Sequence, residues 1–163
     1  PLEGRHPLIV LSHDVAGSRF SLHQLAAELA RNGFVVVAPT HPGDNVDGMD
    51  TLFTAAQATN RAGQLTLTLD LALSHPEMAP MVDPQRIGVL GVGPGGTAAL
   101  LLAGARLDAT GWPIYCAGKE DSPDPYCTPW ARQRMDVFAA TPKLNTAYRD
   151  RRVPSPPSLP TIL

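Results

Sequence analysis

The sequence has no apolar run close to the roughly 20 residues that a membrane-spanning helix needs. Positive charge is also scarce, because 13 Lys and Arg are scattered among 15 Asp and Glu and the formal net charge is -2. Nucleic acids and anionic membrane surfaces attract proteins through clustered basic residues. We therefore expect no membrane span and no nucleic-acid partner.

Cysteine is rare as well, with Cys116 and Cys127 alone in the sequence. Two cysteines are too few for a disulfide scaffold. Their spacing allows either one small-loop disulfide or two free thiols, and the sequence leaves this choice open because geometry decides it. No Cys or His pair lies near them at zinc-ligand spacing, so we expect no metal there.

Residues 1–7 contain no apolar segment of the signal-peptide type. The chain begins with Pro rather than Met, so a cytoplasmic location and export followed by removal of a leader both fit the sequence. The compartment and the oligomeric state stay open.

Short apolar runs alternate with helical patterns over the first hundred residues. Ser21, three residues before Gln24, predicts an N-cap for the first helix, and Gly33 ends it. Residues 61–75 also alternate like a strand, but a helix is expected because parallel strands need a long crossover. The predicted strands are 7–12, 34–38 and 86–91, and the predicted helices are 21–33, 61–75 and 97–105. This order predicts an α/β fold, a mainly parallel sheet with helices on both faces.

Residues 40–60 predict a long, solvated polar loop between the second strand and second helix. Its Asp44, Asp47 and Asp50 lack the alternating ligand positions of an EF-hand, so we expect no calcium site.

The later part of the chain has less regular order, because nine of the 17 prolines lie from Pro113 onward. We expect a core over 1–108, a lid-like or inserted segment over 109–152, and an irregular proline-rich tail over 153–163. A short helix is predicted within the inserted segment, at 130–140, with Trp130, Met135 and Phe138 packed.

Three segments resemble one family. DPQRIGVLGVGPGG (83–96) resembles the D-P-x-R-I-G-V-x-G-x-S-x-G-G segment of dienelactone hydrolase-like and platelet-activating-factor acetylhydrolase-like proteins. PLIVLSHDVAGSR (7–19) is similar to their P-x-x-x-x-S-H-G-x-G-G-S-R strand and oxyanion loop, and GFVVVAPTHPGDN (33–45) to their G-Y-x-V-x-x-x-x-H-P-G-x-x segment. Three matches in order, over about residues 5–105, are far more specific than one.

The resemblance implies a partial α/β-hydrolase fold and a family that hydrolyses carboxylic esters or lactones without a cofactor. It also implies that the sequence covers about the middle of a hydrolase domain. We expect exposed sheet edges through which the chain could associate with itself.

The turn where the family places its nucleophile departs from the pattern. Gly93 falls on the nucleophile position and has no side chain that could form an acyl-enzyme. Pro94 follows it and lacks the N–H that would stabilise the oxyanion, a loss that typically costs about 10²- to 10³-fold in rate. The resemblance places the other donor at Val15, whose N–H we expect to be available, while Asp14 replaces a glycine and would oppose a developing negative charge.

Histidines are also absent where the family needs one, after position 93. The five histidines are His6, His13, His23, His41 and His75. We expect His13, Asp14 and His41 to belong to the loops at the pocket, with His13 organising them through hydrogen bonds. Ser12 or Ser18 could replace the nucleophile only if His41 lay within reach as a base.

Three hypotheses follow. The first is a catalytically impaired hydrolase that keeps a pocket for a small ester, lactone or acyl ligand, in which the turn glycines serve close packing. The second is an unconventional active esterase. The third is a nucleotide-binding module built on Gly91, Gly93 and Gly96, with Glu120 or Asp121 as ribose acceptor.

Overall fold

The computed structural model of the chain describes residues 4–108, 111–139, 148–154 and 161–162. Its centre is a parallel sheet in the order β2-β1-β3, flanked by helices, as the sequence predicts. The strands are β1 (His6–Ser12), β2 (Val35–Val37) and β3 (Val82–Gly91), and the first three helices are α1 (His23–Arg31), α2 (Ala55–Ser74) and α3 (Pro94–Ala103). None of the helices in this part of the chain is both long and apolar enough to cross a bilayer.

The core lies where β1 meets α2 and α3. Leu8 and Val10 of β1 are fully buried in one cluster with Leu65 and Leu69 of α2 and Leu101 of α3. Each such side chain stabilises the fold by about 1.5 to 3 kcal/mol relative to exposure. α1 contributes no buried residue to this core.

Some predicted boundaries are wrong. α1 begins two residues after Ser21, whose hydroxyl accepts from the Ser18 N–H instead of capping the helix. Gly33 follows the helix end with φ 85°, a conformation that suits glycine. α2 starts at Ala55, so the polar loop is shorter than predicted.

β2 was expected to be buried, but all of its residues, Val35–Val37, are only half-buried. It pairs with β1 alone and is an edge of the sheet within the described part of the chain. β3 is the opposite edge and starts at Val82, earlier than predicted. Pro84 fits this strand because an edge strand does not need every backbone donor.

The segment after Arg106 is more ordered than its composition suggests. It contains β4 (Arg106–Leu107), α4 (Trp112–Cys116), a 3₁₀ turn (Pro125–Cys127) and α5 (Pro129–Ala139). A disulfide joins Cys116 to Cys127, which answers the question that the sequence left open. The α5 helix was predicted, but Trp130 is half exposed rather than packed in a core, and the Phe138 side chain lies outside the described residues.

The proline-rich tail also contains a strand, contrary to expectation. β5 (Thr161–Ile162) pairs in parallel with β4. Neither of these two residues is a proline, so both can use their backbone N–H groups in the pairing, although the neighbouring prolines have none. Residues 155–160 and 163 lie outside the described part of the chain.

Candidate active site

The carboxyl ends of β1, β2 and β3 meet at one edge of the parallel sheet, where ligands bind in open α/β folds. β1 leads into Ser12 and His13, β2 leads towards His41, and β3 leads into the glycine turn. The predicted loop residues are therefore brought together with the Gly93 turn.

Gly93 forms the apex of a sharp turn between β3 and α3. Its φ of 55° and ψ of -127° lie outside the regions that L-residues favour. The flanking glycines are tightly packed: a Cβ on Gly91 would overlap the Gly95 backbone, and a Cβ on Gly95 would overlap the Ser12 carbonyl. The turn thus brings β3 and the start of α3 against the end of β1.

Asp14 occupies the space above this apex. A Cβ on Gly93 would overlap Oδ1 of the Asp14 carboxylate. The same Oδ1 accepts the Val15 N–H at 2.7 Å. The expectation that the Val15 N–H is available is therefore wrong, because the Asp14 carboxylate accepts it.

Beneath the loop, Arg61 of α2 forms a buried ion pair with Asp44. Its Nε lies 2.8 Å from Asp44 Oδ2, and both side chains are 1% exposed. The other guanidinium nitrogens donate to the carbonyl oxygens of His13 at 2.5 Å and Asp14 at 3.2 Å. Gln57 donates to Asp44 at 2.8 Å. The prediction of a solvated loop is therefore wrong at Asp44, which is buried and anchors the loop to α2 through Arg61.

Ser12 and His41 form a second buried pair. Ser12 Oγ lies 2.8 Å from His41 Nε2, and His41 Nδ1 lies 2.7 Å from Gln64 Oε1. Because an amide oxygen can only accept, Nδ1 carries the proton and Nε2 accepts from the Ser12 hydroxyl. Burial, reinforced by the Arg61 charge, lowers the pKa of His41 to about 4. This is the arrangement of a nucleophile and base, but both side chains are fully enclosed.

His13 is held within the loop. Its Nδ1 donates to the Asp14 carbonyl at 2.6 Å, and its Nε2 accepts the His41 N–H at 3.2 Å. Burial lowers its pKa. These bonds link β1's end to β2's end, which supports an organising role. Ser18, by contrast, uses its hydroxyl to accept the Phe20 N–H at 3.3 Å.

A cavity of about 340 Å³ lies beside the turn. Most of its wall is apolar or aromatic. Its lining comprises Phe53, Thr54, Gln57, Ala58, Pro94, Thr97, Leu107, Trp112, Tyr115, Tyr126 and Met135. Tyr126 packs edge-on against Phe53 and Trp112, at centroid distances of 5.0 and 5.4 Å. Pro94, the residue after the Gly93 apex, is part of the lining, so the cavity lies next to the turn.

Sequence reasoning missed the residues from the later part of the chain that line this cavity. Trp112, Tyr115, Tyr126 and Met135 come from the segment in which no pocket pattern was found. Both tryptophans and two of the three tyrosines lie within residues 112–130. This concentration of aromatic residues among prolines and charges was the available signal.

In the described part of the chain, no group of three His, Cys, Asp or Glu side chains is arranged to hold a metal. Asp47 and Asp50 are exposed, and Asp44 is paired with Arg61.

Two solved structures are similar to this chain. The chain resembles the solved ferulic acid esterase from Streptomyces cinnamoneus, with 22% identity and a TM-score of 0.52, over 91% of this chain and 51% of that one. Acetyl xylan esterase 1 from Thermoanaerobacterium sp. JW/SL YS485 is 18% identical with a TM-score of 0.46, over 85% and 53%. The chain thus spans about half the length of each.

No curated protein matches the sequence. The model of the dienelactone hydrolase family matches residues 1–122, which is most of the chain. The chain belongs to the dienelactone hydrolase family.

Proposed function

We propose that this member of an esterase-type hydrolase family binds a small ester, lactone or acyl ligand but does not hydrolyse it through the family's nucleophile. The observation that carries this proposal is the Gly93 apex beneath the Asp14 carboxylate, next to an aromatic-lined cavity. The cavity lies in the lower part of the usual range for small-molecule sites, about 300 to 1,000 Å³.

Four features at the turn oppose acyl transfer. Gly93 offers no attacking atom, and Pro94 offers no N–H to an oxyanion. The remaining donor, Val15 N–H, is already bonded to Asp14 Oδ1. The Asp14 charge would also repel the negative oxygen that forms when a carbonyl is attacked.

The first test measures turnover. We expect the unmodified chain to hydrolyse 4-nitrophenyl acetate no faster than the buffer blank. An ester-mimicking phosphonate should leave no covalent adduct detectable by mass spectrometry. An adduct on the unmodified chain, or a rate above the blank that is lost in Ser12→Ala, would establish the unconventional esterase instead.

The second test measures binding. We expect 2-phenylethyl acetate to quench the tryptophan fluorescence of the chain saturably, because Trp112 lines the cavity. Ala58→Phe places a ring in the cavity and should abolish saturation. Ala27→Phe on the exposed side of α1 is the matched control and should bind like the unmodified chain. Unsaturable quenching of the unmodified chain would refute the proposal.

Ser12 and His41 support the unconventional esterase by their 2.8 Å hydrogen bond, but their enclosure opposes it. The charge and the donors at the turn oppose the nucleotide-binding alternative. Pyrophosphate binds helix N-termini through backbone N–H groups. Here Asp14 brings a negative charge to the start of α3, and Pro94 removes a donor.

We also propose that residues 109–152 act as a lid over the cavity. Residues from α4, the 3₁₀ turn and α5 all line it, and the disulfide joins the first two. Proteolysis at the Gly118 turn should slow when ligand is bound, since the covering residues would then contact it. Equal cleavage rates with and without ligand would contradict a lid role.

Self-association through the sheet edges is a further part of this proposal, with a second copy as the partner. The edge strand Val35–Val37 pairs only with β1 in the described part of the chain, and such edges favour pairing with another strand. Light scattering should show a dimer that dissociates in Val36→Lys. A monomer at all concentrations would exclude it.

A further inference from the structure

The charges around the Gly93 turn are not evenly balanced. Asp44 is paired with Arg61, and Asp124 accepts the Tyr115 hydroxyl at 2.7 Å near Lys119. Asp14 differs: in the parts of the chain that the structure describes, no Lys or Arg nitrogen lies within ion-pair distance of its carboxylate. The Arg61 guanidinium, which donates to the Asp14 backbone carbonyl, attracts this carboxylate, but its charge is already paired with Asp44. The partial positive charge at the start of α3, about half a unit, offsets the Asp14 charge only in part.

This carboxylate does not line the cavity itself but lies next to its wall. It sits above Gly93, and the next residue, Pro94, forms part of the cavity wall. Its charge also acts on Tyr126, another lining residue: burial raises the pKa of the Tyr126 phenol, and the Asp14 charge raises it further. Asp14 itself is exposed, so a ligand can reach it.

The cavity walls suit a cation with an apolar body. Phe53, Trp112, Tyr115 and Tyr126 surround the space, and aromatic faces attract ammonium groups. The Tyr115 ring already engages a cation, because Lys119 Nζ lies 3.4 Å from its centroid, so the ammonium group of a ligand belongs at the Asp14 side of the cavity, away from Lys119.

We propose that the site prefers a primary or quaternary ammonium ligand with an aromatic or apolar body. The ammonium group lies against the Asp14 carboxylate, and the body fills the aromatic cavity. This inference rests on the proposed function, because it names the ligand class of the same pocket. It also makes Asp14 a specificity-determining residue, which excludes carboxylate ligands.

The test compares, on the full chain, four probes that share a phenylethyl body. They are 2-phenylethylamine, 2-phenylethanol, 3-phenylpropanoate and 2-phenylethyl acetate, titrated at pH 7.5 and followed by tryptophan fluorescence. We expect the amine to bind about five- to tenfold more tightly than the alcohol, and the carboxylate more weakly than both. The advantage of the amine should shrink as salt is added.

Two variants assign the effect. Asp14→Asn keeps an oxygen for the Val15 N–H but removes the charge, so amine and alcohol should then bind equally. Asp47→Asn removes an exposed acid from the adjacent loop and should leave the preference intact. Equal binding of amine and alcohol to the unmodified chain, or a preference that survives Asp14→Asn, would overturn the inference.

The probes also separate this inference from the proposed function. If the ester and the alcohol saturate but the amine has no advantage, the proposed function stands and the ammonium preference is wrong. If the amine saturates and the ester does not, the ammonium preference stands and ester binding is wrong.

Discussion

Arg61 Nε lies 2.8 Å from Asp44 Oδ2 in an ion pair almost closed to solvent, and the same guanidinium holds the carbonyl oxygens of His13 and Asp14. We expect Arg61→Met to lower the free energy of unfolding by about 3 to 5 kcal/mol, because it leaves a buried carboxylate without its partner. Urea denaturation measures the change. Arg86→Met, which breaks the exposed pair with Asp83, is the control and should cost at most about 1 kcal/mol. Similar losses in both variants would show that Arg61 does not anchor the loop.

Buried neutral histidines make stability depend on pH. The pKa of His41 is about 4 in the folded chain against 6.5 ordinarily, so the unfolded chain binds more protons between these values. The contribution of neutral His41 to the free energy of unfolding should therefore be fully present above pH 6.5. It should fall by about 3 kcal/mol as the pH drops towards 4. Burial of His13 acts in the same direction. Thermal melts between pH 4 and 8 would show this, and His41→Gln should flatten the profile. His23→Gln, at an exposed position, should not.

Gly95 should be intolerant of any side chain. A Cβ there would overlap the Ser12 and His13 backbone, so Gly95→Ala must push the turn away from β1. We expect a loss above about 3 kcal/mol, comparable to severe overpacking. Gly63 in α2 is the matched control, because a Cβ there meets nothing within 4 Å. Gly63→Ala should stabilise the chain by about 0.5 to 1 kcal/mol. Denaturant midpoints compare them directly.

The Cys116–Cys127 disulfide should hold the proposed lid in place over the cavity. Closing a loop of this length restricts the unfolded chain and should contribute about 2 to 3 kcal/mol. Reduction should therefore lower the melting temperature and weaken ligand binding together. The Cys116→Ser, Cys127→Ser variant should behave like the reduced chain and be insensitive to reductant. Unchanged ligand binding after reduction would show that the proposed lid does not depend on the disulfide.

Sequence patterns predicted the sheet and its crossovers because these depend on local composition. The branched residues of Leu8–Val10 and the glycine at position 33 favour one local structure wherever they occur. The family resemblance likewise identified the turn at Gly93. These parts of the fold need little knowledge of which distant residues meet.

The site depended on distant pairing, which the sequence does not display. Asp44 looked solvated because its partner Arg61 lies on a helix that was expected to begin there, and nothing local indicates that they meet. Ser12 and His41 are likewise 29 residues apart, although their side chains bond. The cavity lining from α4 and the 3₁₀ turn was missed because these elements have only five and three residues, too few for helical periodicity, whereas α5 was predicted without its part in the cavity.

If hydrolysis is lost, as proposed above, the Asp14 carboxylate also bears on how it could be recovered by mutation. A serine introduced at position 93 alone would meet this negative charge, with proline still beside it and Val15 still engaged. Under the proposed function, recovery would therefore demand coordinated changes at 14, 93 and 94 together with a base within reach of position 93, and we expect no single substitution among the three to restore hydrolysis.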